Sequence, residues 1–358
     1  MPELVQRIPV AVLGATGSVG QQFIHLLDEH PWFQVAALTG SERTAGGVYG
    51  DVCRWLLPEP MPEWARGLPV LPSEPDKVNV TLAFSALPAD QARQIEPLFT
   101  KYGCWVCSNA SAFRQEPDVP ILLPEVNPDH LALVDEQRRR RGWGGAIICN
   151  PNCTSAGLTV SLKPLQTAFG LRRVFVVSLQ ALSGAGYPGV PALDIIDNVI
   201  PYISGEEEKM EWEPRKMLGA IQAGDSGIDL VEFGLSAQTN RVAVSDGHLA
   251  CLSVELEHPA GMEEVAAAFS SYQAPPDARD LPFAPHPPIL LRSEIDRPQP
   301  RLDRQTGGGM TTVVGRLRPD PLFTLKYIVL SHNTVRGAAG GAIYNAELLV
   351  KKGYLTTP

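Results

Sequence analysis

The sequence predicts an α/β protein of two domains, the first built on a parallel sheet with helices on its faces and the second an α+β domain on a mixed sheet. Three observations carry this expectation. An apolar strand, a glycine turn, an amphipathic helix and a second apolar strand follow one another within the first 40 residues, the pattern of a strand-helix-strand crossover. Two later segments partly alternate polar and apolar residues, as antiparallel strands with one covered face do. The chain of 358 residues also exceeds what one hydrophobic core usually holds.

Residues 8–13, IPVAVL, form a continuous apolar run suited to a strand buried on both faces. A helix fits 17–29, where Val19, Phe23, Ile24 and Leu27 recur on one face and Pro31 closes the pattern. FQVAALTG (33–40) completes the unit. VNVTLAFSAL (78–87) and CWVCSNAS (104–111) read as further strands, with a helical stretch near 89–102 between them. The first domain is expected to span 1–150. NPNCTSAGLTVSLKPLQTAFG then begins a helix, and RRVFVVSLQAL a strand that ends in the glycine-rich SGAGYPG. This opens a second domain over 151–335, with LACLSVELEH (249–258) and TTVVGRLRP (311–319) as half-exposed antiparallel strands. The Pro- and Asp-rich segment 273–303 reads as an irregular excursion. Residues 336–358 carry apolar positions at helical spacing from Ala338 to Val350, and this helix is expected to pack back on the first domain.

The net charge of -9 argues against non-specific nucleic-acid binding, which needs a basic face. The run Arg138-Arg139-Arg140-Arg141 reads as a solvated helix end. No apolar run reaches the roughly 18 residues of a membrane span. The start, MPELVQRIPVAVLGATG, lacks the sections of a secretory signal, so a cytoplasmic location is expected. Six cysteines in so long a chain suggest reduced thiols, most of them small core residues. Cys104 and Cys107 have C-x-x-C spacing but lie in an expected strand, which disfavours a redox role. The seven histidines show no metal-ligand spacing, and no metal is expected.

Gly14, Gly17 and Gly20, in GATGSVG, follow a strand and open a helix. There the backbone N–H groups and the helix dipole favour a pyrophosphate. The spacing is G-x-x-G-x-x-G rather than the strict G-x-G-x-x-G, so the match to a Rossmann-type dinucleotide turn lies in its context. A tight turn with close helix packing would need the same glycines. Thr16, Ser18 and Val19 belong to the same turn and join the expected cofactor contacts. An NAD-selective fold places an acid at the end of the second strand. Here Ser41, Arg43 and Thr44 stand at that end around a single Glu42, which favours the 2′-phosphate of NADP. A polar surface loop with an incidental arginine is the alternative.

Cys153, in NPNCTSAG, stands at an expected helix N-terminus, a position that lowers a thiol pKa. A lone cysteine is more often a buried thiol. Three features turn the reading toward a nucleophile. His248, in RVAVSDGHLA, is a candidate acid/base. The glycines of SGAGYPG (183–189) let backbone approach a ligand at a strand end. Arg114, Lys209 and Arg241 supply anion donors from three further segments.

GATGSVG, SNASAFR (108–114), PEVNPDH (124–130), NPNCTSAG, QALSGAGYPGV, DNVIPYISGEEEK, RVAVSDGH and HNTVRGAAGGAI occur in this order along essentially the whole chain. In that order and spacing the sequence resembles the aspartate-β-semialdehyde dehydrogenase family, especially its archaeal and fungal type. The resemblance implies a Rossmann-type NADP-binding domain and a second catalytic and dimerisation domain, in a homodimer or homotetramer. It implies Cys153 as nucleophile, His248 as acid/base, Gln180 as orienting the acyl group and Asn152 beside the thioester. Arg241 would take the substrate α-carboxylate, and Glu206, or its neighbours Glu207 and Glu208, the α-ammonium. Arg114 and Lys209 would bind phosphate. Ser85, Ser183, Gly184, Gly186 and Asn333 would join the cofactor contacts. The reaction so implied is NADPH-dependent reductive dephosphorylation of β-aspartyl phosphate through a cysteine thioester. Malonyl-CoA and succinyl-CoA reductases are built on the same scaffold, and N-acetyl-glutamyl-phosphate reductase shares its architecture. Thr239 and Ala243 stand where many relatives have Cys and Pro around Arg241, which keeps those substrates open. A non-catalytic NADP-binding protein would be marked by loss of the thiol or the histidine, and both are present.

Overall fold

A computed structural model describes residues 7–224 and 226–356. The first sheet contains β1 (Ile8–Leu13), β2 (Phe33–Gly40), β3 (Val70–Pro72), β4 (Leu82–Ser85), β5 (Trp105–Ser108) and β6 (Ile147–Cys149). Their order is β3-β2-β1-β4-β5-β6, and every pairing is parallel. The strand order reverses between β1 and β4. A crevice therefore opens at the carboxyl ends of these two strands, where doubly wound sheets take their ligands. Helix α1 (Ser18–Leu26) starts at that crevice, and α2 (Ala89–Lys101) leads into β5.

The second sheet is mixed. It is built from β7 (Leu171–Gln180), β8 (Gly234–Arg241), β9 (His248–Leu256), β10 (Ile289–Leu291), β11 (Thr312–Pro319) and β12 (Leu325–Ser331), in the order β8-β7-β9-β12-β11-β10. The pairs β8/β7 and β10/β11 are parallel and the rest antiparallel. Helix α3 (Cys153–Phe169) packs its Leu158, Leu162 and Leu165 into one core with Val174, Val176, Leu252 and Val254 of this sheet. Helix α4 (Glu206–Met217) adds Met210 and Met217 to it.

Several sequence expectations changed length or character. The strand expected over 78–87 shortens to β4, because Asn79 turns left-handed at φ 40° just after a one-turn helix at Pro75–Val78. The short strands β3 and β6 carry only three residues each, too few for a periodic signal. The excursion 273–303 is not wholly irregular, since it supplies the edge strand β10. The basic run is also less solvated than expected: Arg141 forms an ion pair of 2.5 Å with buried Asp118 and another of 2.9 Å with Glu116.

The chain then returns to the first sheet. A π-helical turn over Val335–Ala339 leads into α5 (Gly340–Lys351), and residues 335–349 are all buried. Ile343, Tyr344, Leu348 and Leu349 share one core with Val10, Val12 and Trp105, so a helix that is covered all round is consistent with its position. Two buried polar groups fix its seat. Glu347 accepts the Phe283 N–H and contacts His30 Nε2 at 2.9 Å. Burial raises the Glu347 pKa to about 8 and lowers that of His30 to about 4, so both are neutral near pH 7. Among the described residues no helix is long and apolar enough to cross a membrane.

Candidate active site

At the crevice, Gly14 adopts φ +76°, and a Cβ there would stand 3.0 Å from the Ala86 carbonyl oxygen. A Cβ on Gly20 would meet the Gly14 carbonyl oxygen at 2.3 Å. These contacts explain both glycines: one gives the turn its hand and the other lets α1 close on it. Gly17 is the N-cap of α1, with Thr16 beside it and Ser18 and Val19 facing a cavity of about 350 Å³. Ser41, Glu42 and Arg43 are exposed at the end of β2, whereas Thr44 is buried. The Thr44 hydroxyl donates to the Ser41 carbonyl at 3.2 Å, so it serves the turn and is not presented to a ligand. Ser85 is also turned away, fully buried beside the Glu96 carboxyl. Burial raises that carboxyl to about 7.

The same cavity is lined by Cys153 at the first turn of α3 and by Arg114, Asn152, Glu206, Lys209, Arg241, Ser183, Gly184, Gly186 and Asn333. Asn152 caps the helix: its Oδ1 accepts the N–H groups of Thr154 at 3.0 Å and Ser155 at 3.2 Å. That cap satisfies two otherwise orphaned donors and fixes where the helix begins. Its Nδ2 donates to Glu206 Oε2 at 2.8 Å. The other oxygen of Glu206 pairs with Lys209 Nζ at 2.9 Å. Glu206 is thus the acid that reaches the cavity. Glu207 instead accepts the Thr239 backbone N–H at 2.9 Å, and Glu208 is exposed.

The helix N-terminus does not set the thiol as the sequence suggested. Burial, followed by the nearby Glu206 carboxylate, pushes the Cys153 thiol up to about 12, against the opposing pull of Arg114 and Arg241. Desolvation outweighs the dipole here. In the free protein the group is a thiol at neutral pH.

His248 begins β9 and is 3% exposed. Its Nδ1 accepts the Ala181 N–H at 3.0 Å, which puts the proton of the neutral ring on Nε2. Among the described residues Nε2 has no hydrogen-bond partner. Burial, with Arg241 and His332 nearby, holds the His248 pKa at about 3, so the ring stays neutral and offers a donor. Arg241 Nη1 donates to the Ala181 carbonyl at 2.7 Å. A Cβ at Gly184 would lie 2.9 Å from both Arg241 Nη1 and His248 Nε2, so only glycine lets these two groups converge. Asn333 Nδ2 donates to Ser183 Oγ at 2.8 Å and its Oδ1 accepts the Gly247 N–H at 2.8 Å, tying the glycine loop to the turn before His248. Gln180 lies one layer back: it is 1% exposed and donates to Glu206 Oε2 at 3.3 Å.

With this geometry the comparisons with known proteins agree. Residues 9–134 match the model of the semialdehyde dehydrogenase NAD binding domain, and residues 162–336 that of the semialdehyde dehydrogenase dimerisation domain. The chain is 51% identical to an aspartate-semialdehyde dehydrogenase of Archaeoglobus fulgidus, over 97% of this chain and 99% of that one. The chain belongs to the aspartate-semialdehyde dehydrogenase family. A relative of the same name from Schizosaccharomyces pombe is 45% identical over 97% of this chain and 99% of its own. The solved structure of the Candida albicans aspartate-semialdehyde dehydrogenase with NADP superposes with a TM-score of 0.90 at 41% identity, covering 98% of this chain and 100% of the other.

In this member of the aspartate-semialdehyde dehydrogenase family, a further acid organises the site. Glu213 is 2% exposed. Its Oε1 pairs with Arg114 Nη1 at 2.9 Å and its Oε2 accepts the Asn152 backbone N–H at 2.5 Å. One carboxylate thereby sets Arg114 against Asn152, the residue that precedes Cys153. Glu206, Lys209, Glu213 and Lys216 recur at three- and four-residue spacing on α4, and that charged helical face was the available signal. Lys216 Nζ donates to the carbonyls of Arg114, Glu116 and Val119 at 2.7–2.8 Å, fixing the loop that carries Arg114.

The π-helical turn is packed on Cys153. A Cβ at Gly337 would stand 2.8 Å from Cys153 Cβ and 2.9 Å from its Cα. Gly337→Ala is expected to destabilise the protein by about 1–3 kcal/mol through overpacking and to displace the thiol. A lower thermal unfolding midpoint together with reduced kcat is the expected result. An unchanged midpoint and kcat would show that the turn has room to move.

Proposed function

We propose that this protein catalyses the NADPH-dependent reductive dephosphorylation of β-aspartyl phosphate to aspartate-β-semialdehyde, and the reverse reaction. The observation that carries the proposal is the convergence on Cys153 of two arginines, a lysine and a buried carboxylate around one cavity of about 350 Å³. A zwitterionic acyl phosphate has the complementary charges. Arg241 would take the α-carboxylate with a planar fork of donors. Glu206 would exchange Lys209 for the substrate α-ammonium, and Lys209 with Arg114 would hold the phosphate. Arg114 Nε has no hydrogen-bond partner among the described residues, which leaves it free of competing protein contacts.

As the bond between Cys153 Sγ and the acyl carbon forms, the carbon–oxygen bond to phosphate breaks. The thiol proton leaves with the phosphate, and a thioester remains. A bound NADPH supplies the hydride that reduces it. His248 directs its Nε2–H at the acyl oxygen, which makes it a hydrogen-bond donor and acid in the resting tautomer. Gln180 and Asn152 hold Glu206 in place, with Asn152 also ordering the helix start. The fit of the cofactor rests on Gly14, Gly17 and Gly20 at the head of α1 and on exposed Ser41 and Arg43, which suit a 2′-phosphate. Ser183, Gly184, Gly186 and Asn333 would flank its nicotinamide end, and Ser85 and Thr44 would act only through the turns they support.

We infer a cofactor-binding domain over 1–150, a catalytic and dimerisation domain over 151–335 and a returning segment over 336–358 that carries α5; residues 1–6, 225, 357 and 358 of these spans lie outside the described residues. The match to the dimerisation-domain model supports a homodimer. The deciding assay measures phosphate-dependent reduction of NADP and NAD with aspartate semialdehyde, beside NADPH oxidation with malonyl-CoA and succinyl-CoA. Activity with aspartate semialdehyde that requires phosphate is expected. Activity confined to a CoA ester would overturn the substrate assignment.

A further inference from the structure

A second cavity, of about 560 Å³, adjoins the one that holds Cys153, and the two share Ser111, Arg114 and Lys209 as walls. The outer cavity adds a third cation, Arg93. Arg93 is exposed, yet its guanidinium is held in place: Nη2 donates to the Ala112 carbonyl at 2.8 Å, and the group lies over the Phe113 ring at 5.8 Å. The cavity also contains three acids, Glu116, Glu208 and Glu213. Two of them are committed elsewhere, Glu213 to Arg114 and Asn152 and Glu116 to Arg141. Glu208 stands exposed within it.

We propose that this outer cavity is the port through which free inorganic phosphate reaches and leaves the Arg114–Lys209 site, with Arg93 as the cation that draws it in and Glu208 as the charge that opposes it. The inference rests on the function proposed above and names the route taken by one of its ligands. Two observations carry it independently of each other. Arg114 and Lys209 line both cavities and Arg93 lines the outer one, so an oxyanion entering beside Arg93 meets side-chain donors that continue into the inner cavity. Both Arg114 amino groups are anchored, Nη1 on Glu213 and Nη2 on the Asn109 carbonyl, and its buried Nε has no hydrogen-bond partner among the described residues. The cofactor crevice lies against Ser18 and Val19 in the other cavity. The outer cavity, which Ser18 and Val19 do not line, would leave phosphate a way in beside a bound dinucleotide.

The test is the saturation curve for inorganic phosphate in the oxidative direction, with aspartate semialdehyde and NADP at saturation. If the intact protein shows no phosphate-dependent turnover, the proposed function fails and the port falls with it. Given that turnover, Arg93→Gln is expected to raise the KM for phosphate roughly threefold to tenfold, with kcat and the KM for semialdehyde and NADP unchanged. Glu208→Gln should move the phosphate KM in the opposite direction. Arg93→Lys, which keeps the charge, should restore most of the loss. Raising the ionic strength should shrink all three differences, because exposed charges are screened.

An unchanged phosphate KM in Arg93→Gln would overturn the port. So would equal rises in the KM for semialdehyde and phosphate, or a loss insensitive to salt. Either of those would mean that Arg93 only braces the loop carrying Arg114. In the reductive direction the KM for the acyl phosphate should stay the same in Arg93→Gln. A parallel rise there would also refute a route specific to free phosphate.

Discussion

Cys153→Ala is expected to abolish phosphate-dependent NADP reduction, by at least about four orders of magnitude in kcat, as removal of a covalent nucleophile does, while NADP still binds with unchanged affinity. The separation follows from the layout. The thiol sits at the head of α3, whereas the glycines expected to receive the dinucleotide belong to the turn between β1 and α1. Stopped turnover with intact titration of NADP by fluorescence is the expected pair of results. Retained turnover would remove the thioester route altogether. The height of the thiol pKa sharpens a second consequence. With Cys153 pushed up to about 12, alkylation of this residue in the free protein should accelerate with pH toward that value and show no plateau near pH 7.

Glu213→Ala should cost about 3–5 kcal/mol of stability, because it strands a buried partner of a charge pair. Arg114 is 7% exposed and would keep only the Asn109 carbonyl, at 2.8 Å. The Asn152 N–H would lose its acceptor as well. A fall in the urea midpoint of this order, with an increased phosphate KM in whatever folded fraction remains, is the expected outcome. Glu213→Gln keeps the shape of the side chain and should be milder in stability while still weakening phosphate, since the neutral amide no longer orients Arg114 by charge. A midpoint equal to that of the parent in Glu213→Ala would refute the anchoring role.

The parts of this protein that could be read from the sequence are those whose signal is local. The strand, glycine turn and helix at 8–26 are specified by neighbours within a few residues, and the structure keeps them nearly as expected. Asn152 and Cys153 likewise carry their helix start in their own short motif. The approach of Arg241 to Cys153 in one cavity, and to His248 at Gly184, is different, because these residues come from three elements. Only the order of motifs along the chain pointed to it. Glu213 escaped notice because its two partners lie 99 and 61 residues away, and periodicity on α4 does not say what a charged face meets. Ser85, Thr44 and Gln180 went the other way: each sits in a motif of the site, yet packing turns it toward the interior. The thiol pKa departs from what its helix start alone would set for the same reason. The helix start is visible in sequence, but the depth of burial that overrides it is a property of the assembled chain.

Gly337, pressed against Cys153, also marks how the chain is threaded. The backbone passes from the first sheet to the second just before Cys153 and passes back at the turn that holds Gly337, and the two passages touch. A rocking of one half against the other about this crossing would move the sulfur least, because it stands beside it. Arg114 on the 108–116 loop and Lys209 on α4 line the same cavity from other elements, so such a movement would shift them against Cys153 and not the sulfur against its own helix start.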